Sequence, residues 1–341
     1  MPPSPQAPDT KNLVIAIALS LAILLGFQYF FEMPREKARL AQAETQRAAS
    51  AAQIKAASPN TIIATPAVAA ANGQVLPRPQ ALALSQRITL DGPGVDGTLS
   101  TLGARFDDLR LKRYKETIKA DSKEITLLHP QGTADGYYAF YGYTAPDGSV
   151  GALPGPNTVW SAPVGAKLTP TTPVTLTFEN DQGLRFSRTV AMDNDYLFTI
   201  TDAITNTSAV PVTLSPYGAI RRHAKPKDLV NPVIHEGMIG VLDGKLKLLK
   251  YPKLEKGEAM QTASTGGWLG MSDKFWFTAL IPDQNVKLDA SYKMTNLPGE
   301  EVFESSFVAA PQAILAGGTL TTTQYLFAGS KRVADLKALG T

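Results

Sequence analysis

From Leu13 to Phe31 the chain reads LVIAIALSLAILLGFQYFF, 19 residues without a single charge. As a helix rising about 1.5 Å per residue, this run spans roughly 29 Å, close to the hydrocarbon thickness of a bilayer. The pattern predicts one membrane-spanning helix. Phe27, Tyr29, Phe30 and Phe31 crowd its C-terminal end, where an amphipathic ring suits the headgroup boundary. The competing reading is a cleaved signal peptide with Ala41-Gln42-Ala43 as its cleavage site. The apolar run is longer than an ordinary signal core, however, and Glu32, Arg35, Glu36, Lys37 and Arg39 separate it from that tripeptide, so an uncleaved anchor is expected.

The pattern changes abruptly after the anchor. Residues 32–86 are rich in Ala, Gln and Pro; the first part has helix propensity without a broad apolar stripe, and the second carries Pro59, Pro66, Pro77 and Pro79. This composition predicts a stalk followed by a flexible linker. From about residue 87 the period becomes two. Val174, Leu176 and Phe178 alternate with Thr, Asp181-Gln182-Gly183 turns the chain, and Leu184, Phe186 and Val190 return with Arg185 and Ser187 opposite. Asp193-Asn194-Asp195 is the next turn, followed by YLFTITDAITNT and then Val210, Val212 and Leu214. This is the signature of an antiparallel meander. Similar runs at 88–90, 125–129, 302–308 and 319–329 extend it into a mainly β body over 87–330. A short helix is predicted over 331–341, with Val333, Leu336 and Leu339 as a narrow apolar face.

Charge sharpens this division. Residues 1–86 hold seven basic and four acidic side chains, whereas residues 87–341 hold 26 of each. A balanced body offers no phosphate-neutralising field, which argues against nucleic acid as a partner. The chain has no Cys, so structural disulfides, thiolate metal sites and Cys nucleophiles are excluded together. Beside the membrane run, Lys11 stands on one side and Arg35, Lys37, Arg39 and Arg47 on the other, a bias that by itself places the C-terminal side in the cytoplasm.

Several stretches carry a family resemblance. Asn12-Leu13 and the apolar run into Gly26-Phe27-Gln28-Tyr29-Phe30, Leu102-Gly103-Ala104-Arg105 with Leu109, Leu111, Lys112 and Tyr114, the run YYAFYGY (137–143), and Tyr251 with Lys253 all belong to it. So do GGWLGMSDKFWFTALIP (266–282) and Tyr325-Leu326-Phe327-Ala328-Gly329-Ser330-Lys331, although Ser330 stands where Pro is expected. Together they resemble the YidC membrane protein insertases of bacteria. The resemblance implies an inner-membrane protein: a cytoplasmic N-terminus (1–12), a signal-anchor helix (13–31), a linker (32–86) and a periplasmic β-supersandwich akin to galactose mutarotase (87–330). The C-terminal helix (331–341) then leads to an insertase core of five further transmembrane helices that this sequence does not include. The implied partners are nascent membrane proteins through that core, Sec translocon subunits and the lipid bilayer. The alternative is a membrane-tethered carbohydrate-binding or mutarotase-like enzyme domain.

No catalytic or cofactor-binding constellation emerges. His129, His223 and His235 are the only histidines and lack a compact metal-ligand spacing. His235-Glu236 suggests an acid–base pair for a sugar isomerase, but neighbours in a strand point to opposite faces. Tyr137, Tyr138, Phe140, Tyr141 and Tyr143 suit either stacking on a ligand or filling the space between two sheets, with alternate members packed under a loop. Arg221, Arg222, His223, Lys225 and Lys227 form the one local basic run, expected in a solvated loop, with contact to anionic lipid headgroups or an acidic partner as the sharper alternative. Partner contacts are therefore expected at Tyr138, Tyr141, Arg221 and Arg222, and at Val333, Leu336 and Leu339.

Overall fold

A computed structural model describes residues 75–331, apart from 120, 147–149, 227–234 and 298–299. The predicted anchor, the stalk and the predicted helix with Val333, Leu336 and Leu339 lie outside the described residues. Among the described residues no helix is long and apolar enough to cross a membrane.

The chain enters the fold through α1 (Arg78–Leu82) and continues as β1 (Arg87–Asp91), β2 (Val95–Ser100), β3 (Phe106–Lys115), β4 (Glu124–Leu128), β5 (Tyr137–Thr144) and β6 (Lys167–Leu168). Then follow β7 (Val174–Glu179), β8 (Leu184–Met192), β9 (Leu197–Asn206), β10 (Val212–His223), β11 (Gly237–Leu242) and β12 (Lys245–Lys250). After α2 (Tyr251–Glu255) come β13 (Met260–Thr265), β14 (Trp268–Ser272), β15 (Trp276–Ile281), β16 (Lys287–Leu297), β17 (Glu300–Ala309), β18 (Gln312–Ile314) and β19 (Thr319–Ser330).

These strands form two sheets. The larger, of eleven strands, runs β13-β16-β17-β10-β5-β3-β2-β1-β6, with β18 joined to β10 and β4 to β3. The smaller, of eight, runs β12-β11-β14-β15-β19-β9-β8-β7. Of the meander expected through Leu214, β7-β8-β9 form one in the smaller sheet, with Val174 opposite Val190 and Phe186 opposite Ile204, whereas the run with Val212 and Leu214 crosses to the larger sheet as β10. Their inward residues meet the larger sheet directly. Phe106 packs on Phe198 at 5.1 Å between ring centres, and Tyr143 on Phe186 at 5.5 Å. The expected β-sandwich is what the chain forms, its core built from alternate residues of both sheets. Each fully buried Leu, Ile or Phe contributes about 1.5–3 kcal/mol to that core.

One polar network crosses the core. Arg188 on β8 holds Asp202 on β9 through two bonds of 2.8 and 2.7 Å, with 1% and 2% of these side chains exposed. Tyr143 of the opposite sheet donates to Asp202 at 2.7 Å, and Arg188 Nη1 donates to the Tyr141 carbonyl at 3.1 Å. The guanidinium also lies 4.8 Å from the Trp160 ring centre. A charge this deep is tolerable only because its donors are satisfied and its counter-charge is in contact.

Two boundaries differ from the sequence reading. The linker was expected to reach 86, yet residues 76–86 already belong to the folded unit: the Leu76 amide bonds the Gly132 carbonyl at 2.8 Å, Arg78 pairs with Asp108, and Ala81 is buried. The prolines explain this, since Pro79 sits in the first turn of α1, where its missing N–H costs no helical bond. The basic run, expected as a solvated loop, is instead strand as far as His223. β10 lies between β5 and β17, so pairing on both edges carries its backbone to that residue. At the GGW segment, Gly266 and Gly267 adopt positive φ (62° and 88°). A Cβ on Gly270 would come within 2.0 Å of the Thr278 carbonyl oxygen, so only glycine lets β14 and β15 approach.

Candidate functional site

Register determines what gathers on the outer face of the larger sheet. Tyr138 stands opposite Arg221, Arg221 opposite Glu304, and Glu304 opposite Lys293, so one row crosses β5, β10, β17 and β16. Directly opposed residues share a face. The neighbouring row is Phe140, Ala219, Ser306 and Ser291. Aromatic rings thus lie at one end and charges at the other.

The charges neutralise one another. Arg221 Nε donates to Glu304 Oε2 at 2.6 Å, Lys293 Nζ approaches Oε1 at 3.1 Å, and Ser306 Oγ donates to the same oxygen at 3.1 Å. Burial alone would raise the Glu304 pKa, but the Arg221 and Lys293 cations outweigh it and hold the carboxyl below its ordinary range. At neutral pH Glu304 is therefore an anion that binds cations and donors, not a proton source. The Arg221 guanidinium also lies 5.2 Å from the Phe140 ring centre.

At the aromatic end, Tyr138 stacks on Phe140 at 6.2 Å, and its hydroxyl meets His223 Nε2 at 3.2 Å. Arg105 lies over the Tyr138 ring at 5.7 Å and donates to Gln131 at 2.6 Å. Its own carboxylate neighbour is Asp107, at 3.6 Å, which Arg87 also engages. Burial pushes the Asp107 carboxyl up against the pull of both arginines. Two loops close this end. Gly136 abuts the His223 ring, and the Pro154 carbonyl accepts from the Tyr143 amide at 2.9 Å while lying against Gly142.

The aromatic run divides as one of its two sequence readings required. Tyr137, Tyr141 and Tyr143 face the core, while Tyr138 and Phe140 pack under the loops. Tyr138 and Tyr141, expected to touch partners, are each 1% exposed and cannot do so in this fold. Tyr141 instead donates to the Tyr325 carbonyl at 2.9 Å, and burial pushes its phenol above the ordinary pKa. Arg221 and Arg222 are also engaged internally, on opposite faces. Arg222 turns inward to Asp273 and lies 4.7 Å from the Tyr137 ring centre. Burial opposes its charge, but Asp273 more than compensates.

His235 and Glu236 do not converge with this cluster; His235 Nε2 donates to the Met238 carbonyl at 2.8 Å and Glu236 is buried. Among the described residues no group of His, Asp or Glu is placed to hold a metal ion. A cavity of about 30 Å³ opens between the sheets beside Pro216, Phe307, Thr322 and Gln324. That volume has room for a water or two. Sequence reasoning missed Glu304, Lys293 and Arg105 as members of one cluster. The available signal was a carboxylate inside VFESSFV, an otherwise apolar and small-residue strand.

Residues 87–341 match the family model described as the YidC periplasmic domain. The membrane protein insertase YidC of Maricaulis maris is 38% identical over 330 residues, covering 96% of this chain and 55% of that protein. Those of Caulobacter vibrioides and Sinorhizobium fredii are 38% and 40% identical, with 96% and 95% of this chain covered. The chain spans about half the length of the curated relatives it matches. Among solved structures, a galactose mutarotase related enzyme from Lactobacillus acidophilus is 11% identical with a TM-score of 0.45, covering 73% of this chain and 99% of its own. A galactose mutarotase-like protein from Lactobacillus casei is 11% identical with a TM-score of 0.43, covering 71% and 100%. With the family model covering the whole of the sandwich and relatives of this identity aligned along nearly all of the chain, the protein belongs to the YidC family.

Proposed function

We propose that this chain forms the N-terminal region of a membrane protein insertase and supplies it with an anchor and a positioning domain in the periplasm. The observation that carries this reading is 38–40% identity to named insertases along nearly the whole chain. Insertion lowers the cost of bringing polar groups of a nascent protein into the bilayer, a cost of several kcal/mol per unsatisfied backbone group. The uncharged run Leu13–Phe31 offers no polar groove for that task. Anchorage, reach and contact with Sec translocon subunits are the contributions within its means. The three-residue spacing of Val333, Leu336 and Leu339 in the sequence makes them the candidate apolar contact through which the sandwich is coupled to the membrane-embedded core. The role is non-covalent, in keeping with the Glu304 carboxylate held ionised between two cations.

Depletion of a resident insertase, followed by expression of this chain or of a version extended by the family's downstream helices, tests the assignment. Rescue is expected only from the extended form, and it should weaken with Val333→Asp and Leu336→Asp; rescue by the chain alone would overturn the proposal. Topology is tested separately. The sequence has no Cys, so Ser4→Cys and Val210→Cys each introduce a unique thiol. In intact spheroplasts an impermeant maleimide should label position 210 and spare position 4.

A further inference from the structure

The smaller sheet ends in an unusual edge. Among the described residues, strand β12 has β11 on one side and no strand on the other. Its sequence KLKLLK continues into YPKLEK, giving five lysines and one glutamate over residues 245–256, a local excess in a body whose charges balance only when this run is included. Lys225 occupies that glutamate, Glu255, and Lys253 pairs with Glu258 at 3.4 Å. Lys245, Lys247 and Lys256 have no ion pair among the described residues.

Alternation separates the two chemistries. Leu246 and Leu248 face outward, 60% and 50% exposed, while Lys247 and Leu249 point to the other face. Register places Val241 beside Leu246 and Ile239 beside Leu248; those two are half-buried against the core, so Leu246 and Leu248 are the exposed apolar continuation of that row at the edge. Lysine on an edge strand is a common guard against unwanted strand pairing. That role explains Lys245 and Lys247 but gives no reason for two exposed leucines beside them.

We propose that the β11–β12 edge is a docking surface for a bilayer rich in anionic headgroups. The edge approaches the bilayer side-on, so that Leu246 and Leu248 on one face enter the boundary between headgroups and acyl chains while Lys245 and Lys247, on the other face, reach phosphates around the same edge. An acidic protein would satisfy the lysines and leave the apolar stripe in water; a lipid interface satisfies both. This inference rests on the anchored reading proposed above, in which Leu13–Phe31 ties the chain to a bilayer and weak contacts become effective. Docking here sets the orientation of the sandwich relative to the membrane.

The full chain tests this, because Leu248→Cys carries a unique environment-sensitive dye. The labelled protein is reconstituted into phosphatidylcholine vesicles, with or without phosphatidylglycerol, containing a spin-labelled quenching lipid. Val210→Cys, at a 61% exposed position in another part of the fold, is the reference label. Quenching and a blue shift at 248 but not at 210 are expected, only with phosphatidylglycerol, and should be lost at high salt. Lys245→Gln and Lys247→Gln should each weaken docking about fivefold, while unchanged circular dichroism verifies the fold. The salt series needs no lysine variant and stands if one misfolds. Equal signals at 248 and 210, or quenching indifferent to lipid charge and salt, would overturn the proposal. So would a blue shift that grows with protein concentration in detergent, which would identify a second copy of the chain as the occupant.

Discussion

Arg188–Asp202 and Arg221–Glu304 are both arginine–carboxylate pairs bridging neighbouring strands, yet they sit in different solvents. The first lies between the sheets, with side chains 1% and 2% exposed, and is bidentate. The second lies on the outer face, 14% and 9% exposed, and shares its carboxylate with Lys293, whose side chain is 44% exposed. In the dry core the charges survive only as a closed set, with Tyr143 and the Tyr141 carbonyl as further members. On the outer face water can replace a lost partner through Lys293. Context, more than residue type, decides how much either pair matters.

Breaking the inner pair should have the largest effect. Asp202→Ala leaves a buried guanidinium without its counter-charge and should cost about 3–5 kcal/mol in urea unfolding. The double replacement Arg188→Met with Asp202→Leu removes both charges at similar volume. It should recover most of that loss, because burying two ions gains little over a well-packed apolar pair. A double variant as unstable as Asp202→Ala would show that the packing of Trp160 over the guanidinium, not charge pairing, governs the site.

The outer pair should respond less at neutral pH and more in acid. Glu304→Gln keeps the shape and weakens two charge-assisted contacts, for a loss of about 1.5–3 kcal/mol. The folded-state pKa of Glu304 lies below its ordinary value of 4.5. Its stabilisation is therefore complete above the unfolded pKa and is lost as pH falls through the folded one. Thermal unfolding followed from pH 6 downward should show a shallower acid limb for Glu304→Gln than for the parent protein. Parallel limbs would mean that other carboxylates dominate acid unfolding.

The two regions also differ in how far the sequence disclosed them. Alternation in PVTLTFEN and LRFSRTV made β7 and β8 legible, because one face of each strand is core and the other is not. The division of the aromatic run between core and loop followed from the same period. Arg188 itself was not legible: it occupies the inward phase between Phe186 and Val190, and only its partner on another strand explains that position. The outer row was hidden for a different reason. Tyr138, Arg221, Glu304 and Lys293 span 166 positions of sequence, and register across β5, β10, β17 and β16 alone unites them. Arg221 and Arg222 were misplaced in a loop because charge was weighed and strand pairing on both edges was not visible.

The smallest expected effect concerns the loop that closes the outer face. His129 stands at its start, with Nδ1 3.2 Å from Asp135 and Nε2 3.2 Å from the Thr126 carbonyl, and Gly136 at its end abuts His223. Burial lowers the His129 pKa from its ordinary 6.5, and the opposing pull of Asp135 does not restore it. The unfolded chain therefore takes up a proton at a higher pH than the folded one. The resulting sign is a stability contribution that is complete above pH 6.5 and falls away as pH drops through the lowered value. His129→Gln abolishes that titration while retaining a donor for the Thr126 carbonyl, so its melting temperature should change less than the parent's between neutral pH and pH 5.5. If the loop covers the outer row as the contacts indicate, hydrogen exchange of the Gly136 amide should accelerate over the same range in the parent. Exchange of the Ile200 amide, on a core strand, should not. Equal acceleration at both positions would mean that protonation of His129 loosens the whole sandwich, and would remove the distinction between a sealed inner network and an outer face governed by its cover.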